Sequence, residues 1–345
     1  MSPLAQRQAQ LMDWINHSTP FLCQQLHMVY GDASFRRYFR FAFEGRSIIA
    51  VDAPPKFEDS HKFALVAELL ATKGLCVPDI LASDHGLGFY CLNDFGDVQL
   101  AHRLNDESSQ PLYSQALALL PKVQQCVATS QAPLPVYDHK LFSAEFEIFS
   151  QWLLNVHLGL TITPAQKTIL TDTFNILADN FFEQPKVGVH RDFHSRNLMM
   201  LDNNAIGVID FQDAVVGPIT YDAVSLLRDC YRRWPDKWVS NWLQVFHGQF
   251  YAQYSLAQFT RWFDLTGMQR HIKASGIFAR LHHRDGKSDY LGDIPRTLGY
   301  LVDIGKLYPQ LQAFSDFIEQ QVLPNVLTAP SSRKTKVVSL ASSKG

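Results

Sequence analysis

The run His190-Arg191-Asp192-Phe193-His194-Ser195-Arg196-Asn197, followed by Ile209-Asp210-Phe211, sets an acid, an amide and a second acid at fixed separations. Five steps lead from Asp192 to Asn197 and thirteen from Asn197 to Asp210. Hard oxygen ligands of this kind suit a divalent cation such as magnesium, and a carboxylate beside them can take a proton from an alcohol. Anionic phosphates cannot approach a nucleophile until such ligands have fixed a cation between them. One chemistry open to such residues is phosphoryl transfer, in which one group takes the proton and the other oxygen ligands hold the cation. A lone Asp in a turn is usually a cap, but here the three stand or fall together. His190 reads as a residue that orients the loop by hydrogen bonding. Asp213 stays open between a further metal contact and a solvated acid.

These side chains need a scaffold, and the hydrophobic periods supply one. Leu4, Leu11, Met12 and Ile15 suit a short amphipathic helix. From Phe35 to Phe43 the period becomes two, with Phe39, Phe41 and Phe43 on one face; Glu44-Gly45 turns the chain and Ser47 to Val51 returns it as a hairpin. Leu65, Val66, Leu69 and Leu70 make a helical stripe that stops at Gly74, and Asp79–Ala82 and Gly88–Leu92 read as strands. The first ninety-odd residues thus predict a small mixed sheet carrying one helix. Beyond Asp97 the spacing is mostly helical, through Phe142, Phe146, Phe149, Leu153 and Val156, then Leu170, Phe174, Leu177 and Phe181. Val187–His190 and Ala205–Phe211 are short β-like runs that bracket the chemical loop. Helix resumes at Tyr221 and again from Trp238 to Tyr254.

Bulk properties exclude several classes. At 345 residues and 39.2 kDa the chain predicts two lobes. A formal net charge of -2 argues against broad binding to nucleic acid or acidic membranes. The five cysteines form no C-x-x-C pair, which favours buried thiols over a disulfide framework or a zinc site. The N-terminus lacks a secretory apolar core and no later stretch has the length of a membrane span, so a cytoplasmic setting is expected.

The chemical loop resembles the H-R-D-x-x-x-x-N and D-F-G elements of protein kinases, which implies Asp192 as base and Asn197 and Asp210 as magnesium ligands. In the form His190-x-Asp192-x-His194-x-x-Asn197 with Ile209-Asp210-Phe211, it is similar to the aminoglycoside phosphotransferase family. Within that family, three stretches resemble the bacterial kinases of N-acetylmuramate and N-acetylglucosamine. They are Gly31-Asp32-Ala33-Ser34-Phe35-Arg36-Arg37-Tyr38-Phe39-Arg40, Val51-Asp52-Ala53-Pro54-Pro55, and Gln269 to Lys273 with Gly276 to Leu281. The likeness runs from about Trp14 to Val322. It implies an α+β, bilobal protein-kinase-like fold. The expected division is a nucleotide-binding lobe with its leading helix over 1–93, a catalytic and acceptor-binding lobe over 94–328, and a flexible tail over 329–345. It further implies ATP and Mg2+ as cofactors and the anomeric hydroxyl of an amino sugar as acceptor, in cell-wall recycling. Asp222 would tie the catalytic loop to the helix that follows.

Gly31, Ala33 and Ser34 would form the turn over the nucleotide's phosphates, since close backbone approach needs small residues and free N–H groups. The second strand should carry a lysine that grips the inner phosphates, yet it reads Ala50-Val51-Asp52-Ala53. Arg37 and Arg40 on the preceding strand are the candidate replacements, against the alternative of an exposed strand face. Glu68 would order such an arginine or face solvent. Arg270 and Lys273 lie in a basic cluster that suits an acceptor carboxylate, as in N-acetylmuramate, or else a solvated helix face. Trp234, Trp238 and Trp242 read as sugar-stacking rings or as core. Two rivals stay open: a kinase of the same family acting on an amino alcohol, homoserine or an aminoglycoside, and a nucleotide-binding pseudokinase. The number of subunits is left open.

Overall fold

A computed structural model describes residues 3–29 and 35–328. Gly31, Ala33, Ser34 and the expected tail 329–345 lie outside the described residues. The chain divides into two compact units: Met1–Val136 with Pro185–Leu227 and Ser240–Ala252, and Tyr137–Gln184 with Arg228–Val239 and Gln253–Gly345.

The first unit opens with α1 (Pro3–Ser18) and then builds a sheet from β1 (His27–Val29), β2 (Arg37–Phe43), β3 (Arg46–Asp52), β4 (Ile80–Asp84) and β5 (Phe89–Asn93), with α2 (Ser60–Thr72) between β3 and β4. The spatial order is β1-β2-β3-β5-β4 and every pair is antiparallel. The expected mixed sheet is therefore corrected: the return through α2 and β4 brings β5 back against β3 in the opposite sense. The β2–β3 turn has positive φ at both Glu44 (49°) and Gly45 (74°), the conformation that matches the twist of a two-residue hairpin. Period-two alternation then decides the faces. Phe39 and Phe41 pack with Ile48, Ala50, Phe89 and Cys91 beneath Leu11, Trp14 and Ile15 of α1. The opposite face presents Tyr90 to Phe63 of α2, ring centroids 5.0 Å apart. Asp59 caps α2 by accepting from the Lys62 amide at 3.0 Å, and Gly74 (φ 73°) closes it.

Three short helices follow, α3 (Leu100–Arg103), α4 (Ser109–Leu117) and α5 (Leu120–Gln124). The second unit then begins with α6 (His139–Ile148), which runs on as a π-helix from Phe149 to His157, and α7 (Pro164–Glu183). The chain returns to the first unit in two antiparallel ribbons, β6 (Lys186–Val189) with β9 (Val215–Pro218), and β7 (Leu198–Met200) with β8 (Ile206–Val208), ending in α8 (Tyr221–Leu227). Beyond α9 (Asp236–Phe250), the second unit is completed by α10 (Leu256–Asp285), α11 (Ile294–Gly305), α12 (Gln312–Phe317) and α13 (Leu323–Thr328). A Cβ on Gly276 of α10 would stand 2.6 Å from the Phe149 amide nitrogen, so only glycine lets α10 approach the π-helix backbone so closely.

All five cysteines are free, four of them buried and Cys76 exposed. Burial pushes the Cys91 thiol up to about 12 and those of Cys126 and Cys230 up to about 11. Among the described residues no helix is long and apolar enough to cross a membrane.

Candidate active site

The two ribbons do the positioning. Loop 190–197 leaves β6 and enters β7, while loop 209–214 leaves β8 and enters β9. Because Leu198 faces Val208 across the β7–β8 ladder, Asn197 and Ile209 are the next rungs, and the Ile209 amide donates to the Asn197 carbonyl at 3.1 Å. The Asn197 side chain closes the arrangement. Its Nδ2 donates to the Asp192 carbonyl at 3.0 Å and to Asp210 Oδ2 at 3.2 Å. The Asn197 side chain thus joins the main chain of the Asp192 loop to the Asp210 carboxylate within one unit.

Both loops hold non-glycine residues in the left-handed region, Arg191 at φ 78° and Asp210 at φ 62°. Such strain persists only where the surroundings fix it. For Arg191 the fixing group is Asp222, buried on α8. Its Oδ1 accepts from the Arg191 amide at 3.0 Å and its Oδ2 from the His190 amide at 2.7 Å. Asp210 is held by Gln212, whose Nε2 donates to Oδ1 at 2.7 Å, and by Phe211, whose ring stacks on Phe63 at 4.9 Å. Tyr90, Phe63 and Phe211 therefore form one stack from the sheet to the acid loop.

His190 is fully buried, and burial lowers its pKa to about 4. A neutral ring must donate from one nitrogen only. Nδ1 accepts from the Asp192 amide at 3.3 Å, so Nε2 carries the proton and donates to the Ile209 carbonyl at 3.0 Å. His190 is thereby a strut between the two loops.

No group of three or more His, Cys, Asp or Glu side chains able to hold a metal occurs among the described residues. The site instead offers one amide and one carboxylate side by side. That donor set fits magnesium, which takes few protein ligands and fills its shell with phosphate oxygens and water. Asn197 Nδ2 is already spent on two acceptors, which leaves Oδ1 as the atom for a cation.

The arginines expected at the phosphates are turned elsewhere. Arg37 reaches Asp52 Oδ2 through Nε at 3.0 Å and Nη2 at 2.5 Å, and Arg7 of α1 shares the same carboxylate. Arg40 holds Asp94 at 2.6 and 3.1 Å and Asp97 at 2.9 Å. Glu68 is exposed and accepts from Ser130 Oγ at 3.4 Å. The guanidinium that does reach the site belongs to Arg36, not singled out from sequence. It is 5% exposed, with Nη2 3.8 Å from Asp210 Oδ1 and Nε 3.5 Å from Glu58 Oε2. A signal existed: Arg36 shares strand parity with Tyr38 and not with Phe39, so it falls on the Tyr90 face, whereas Arg37 falls on the face of α1.

Arg270 and Lys273 lie in the second unit on α10, and both are buried, so the solvated-face alternative is excluded. Lys273 Nζ lies 3.4 Å from Glu145 Oε1, and Gln269 Nε2 donates to Glu145 Oε2 at 3.0 Å. Trp234 and Trp242 are core residues, and Trp238 stacks on Trp234 at 5.6 Å.

Comparison with known proteins agrees with this geometry. The model of the phosphotransferase enzyme family matches residues 28–259. The N-acetylmuramate/N-acetylglucosamine kinase of Pseudomonas putida is 41% identical over 298 residues, 84% of this chain and 86% of the relative. That of Neisseria meningitidis serogroup B is 37% identical over 316 residues, covering 89% and 93%. Among solved structures, the ADP-bound aminoglycoside phosphotransferase APH(2'')-Ib superposes with a TM-score of 0.55 at 14% identity, covering 85% of this chain and 97% of that one. The fold is protein-kinase-like, an antiparallel sheet region followed by a largely helical part. On the family match and these relatives together, the chain belongs to the phosphotransferase enzyme family.

Proposed function

We propose that this phosphotransferase moves the γ-phosphate of ATP onto the anomeric hydroxyl of N-acetylmuramate or N-acetylglucosamine, in a cytoplasmic setting. The observation that carries the reading is the Asn197 amide joining the Asp192 loop to the Asp210 carboxylate at 3.0 and 3.2 Å. The names of the relatives at 41% and 37% identity support the choice of sugar. In functional terms, residues 1–93 would serve the nucleotide, with Gly31, Ala33 and Ser34 as its phosphate turn, and residues 94–328 the chemistry and the acceptor.

In the reaction the acceptor oxygen forms a bond to the γ-phosphorus while the bond from that phosphorus to the β,γ-bridging oxygen breaks. ADP leaves with the electron pair, and the acceptor's proton passes to the Asp192 carboxylate. Asn197 Oδ1 and Asp210 would hold magnesium, which supplies charge neutralisation on the phosphates when bound. Asp222 and His190 keep the base and the metal acid at a constant separation. Positioning and charge stabilisation therefore supply most of the rate.

The test is ADP release against a sugar panel headed by N-acetylmuramate and N-acetylglucosamine, with choline, homoserine and kanamycin as controls. Turnover confined to the two amino sugars is expected. Turnover of the controls alone would replace the acceptor, and no turnover with any of them would favour a pseudokinase. Asp192→Asn should bind ATP as wild type does and lose roughly three or more orders of magnitude in kcat. Near-normal turnover in that variant would remove Asp192 as the base.

A further inference from the structure

Two large aromatic rings stand in solvent next to the acid loop. Phe35 is 58% exposed and Phe57 53%, and they stack on each other with centroids 4.4 Å apart and planes 17° from parallel. Each keeps an outer face in water, which forgoes roughly 1 kcal/mol of burial. The chain fixes them there. After β3, the restricted φ of Pro54 and Pro55 starts a turn whose Pro54 carbonyl accepts from the Phe57 amide at 2.9 Å and the Glu58 amide at 3.0 Å. Asp59 then caps α2, so Phe57 rides on a defined corner. Phe35 is tied to that corner through its amide, which donates to Glu58 Oε1 at 3.3 Å.

The corner connects to the active site through charged side chains. Glu58 Oε2 lies 3.5 Å from Arg36 Nε, and Arg36 Nη2 lies 3.8 Å from Asp210 Oδ1. The rings therefore flank the ion pairs beside the candidate metal acid, and all of these residues belong to the first unit. Lys56, also exposed, holds its Nζ 5.4 Å from the Phe57 ring centroid. An apolar face with an ammonium at its edge suits a ligand that is part apolar and part anionic. N-acetylmuramate is such a ligand: the C–H face of its pyranose can pack on an aromatic face, and its lactyl carboxylate calls for a cation. We propose that Phe35 and Phe57 form a platform for the acceptor's sugar ring and that Lys56 meets the carboxylate of N-acetylmuramate. The assignment rests on the amino-sugar kinase reading above. N-acetylglucosamine lacks the lactyl group, so Lys56 distinguishes the two sugars while the rings serve both.

The experiment measures kcat and KM for N-acetylmuramate, N-acetylglucosamine and ATP in the full-length wild type and the Lys56→Gln, Phe57→Ala and Phe57→Tyr variants. Lys56→Gln is expected to raise KM for N-acetylmuramate about fivefold, leaving kcat and the KM for N-acetylglucosamine unchanged. Phe57→Ala should raise KM for both sugars by about fivefold or more, Phe57→Tyr should restore it, and KM for ATP should not move in any variant. No change in Lys56→Gln, or an equal change for both sugars, overturns the carboxylate contact. Wild-type KM values for both sugars in Phe57→Ala overturn the platform. A rise confined to ATP does so too, since the rings would then serve the nucleobase. Should Phe57→Ala not fold, Lys56→Gln decides: a raised ratio of the N-acetylmuramate KM to the N-acetylglucosamine KM supports the assignment, and an unchanged ratio overturns it. Wild type that turns over neither sugar would sink the amino-sugar reading and the assignment with it. Wild type that turns over both alongside indifferent variants sinks the assignment alone.

Discussion

Asp222 shows how much one buried carboxylate can hold. It satisfies two amides that belong to a strained loop, and removing it leaves both donors without their acceptor in a dry environment. Each such orphan costs about 1–3 kcal/mol. Asp222→Ala should therefore lower unfolding free energy by about 2–5 kcal/mol, measured by urea denaturation, and lower kcat by at least about tenfold. An unchanged denaturation midpoint would show that the loop holds itself. This tie was readable beforehand because the likeness to the kinase family implies it. Arg36 was not read, since two adjacent arginines look alike in a string. Which one meets the site depends on strand parity combined with knowledge of which face α1 covers.

Elements decide how those residues keep their places. The Tyr90–Phe63–Phe211 stack links sheet, helix and acid loop, so a hole in its middle is felt at Asp210. Phe63→Ala should cost about 3–5 kcal/mol. It should also speed amide exchange at Asp210 and Phe211 before global unfolding sets in; exchange confined to α2 would refute the linkage. The hairpin offers the opposite sign: Glu44 adopts φ 49° where asparagine is better tolerated, and Glu44→Asn should raise stability by about 0.5 kcal/mol, seen as a higher Tm. The β2–β3 hairpin was legible because alternation and a two-residue turn are local signals. The π-helix at Phe149–His157 was not, because its stripe of Phe149, Leu153 and Val156 fits an α-helix equally well. It begins where α10 approaches most closely at Gly276, a contact between distant parts of the sequence that no local pattern reports.

For the molecule as a whole, buried histidines set the response to acid. Desolvation lowers His190 to about 4 and His271 to about 3, both from 6.5. The folded state therefore binds these protons less readily than the unfolded chain. Stability is full above 6.5 and falls as pH drops toward 4, by about 1.4 kcal/mol per pH unit for each histidine. Denaturation midpoints measured between those limits should decline steeply, and His271→Asn should flatten the slope; a flat wild-type profile would refute the neutral assignment. The first unit also draws on three separate stretches of chain, ending at Ala252. During synthesis the sheet emerges early, yet it waits for β6 through α9 before its unit is complete. A nascent chain halted short of that point leaves Phe63, on the Tyr90 face of the sheet, without Phe211 to stack on. Heterologous expression at high translation rates should therefore accumulate insoluble material, and slower synthesis or a holding chaperone should recover it.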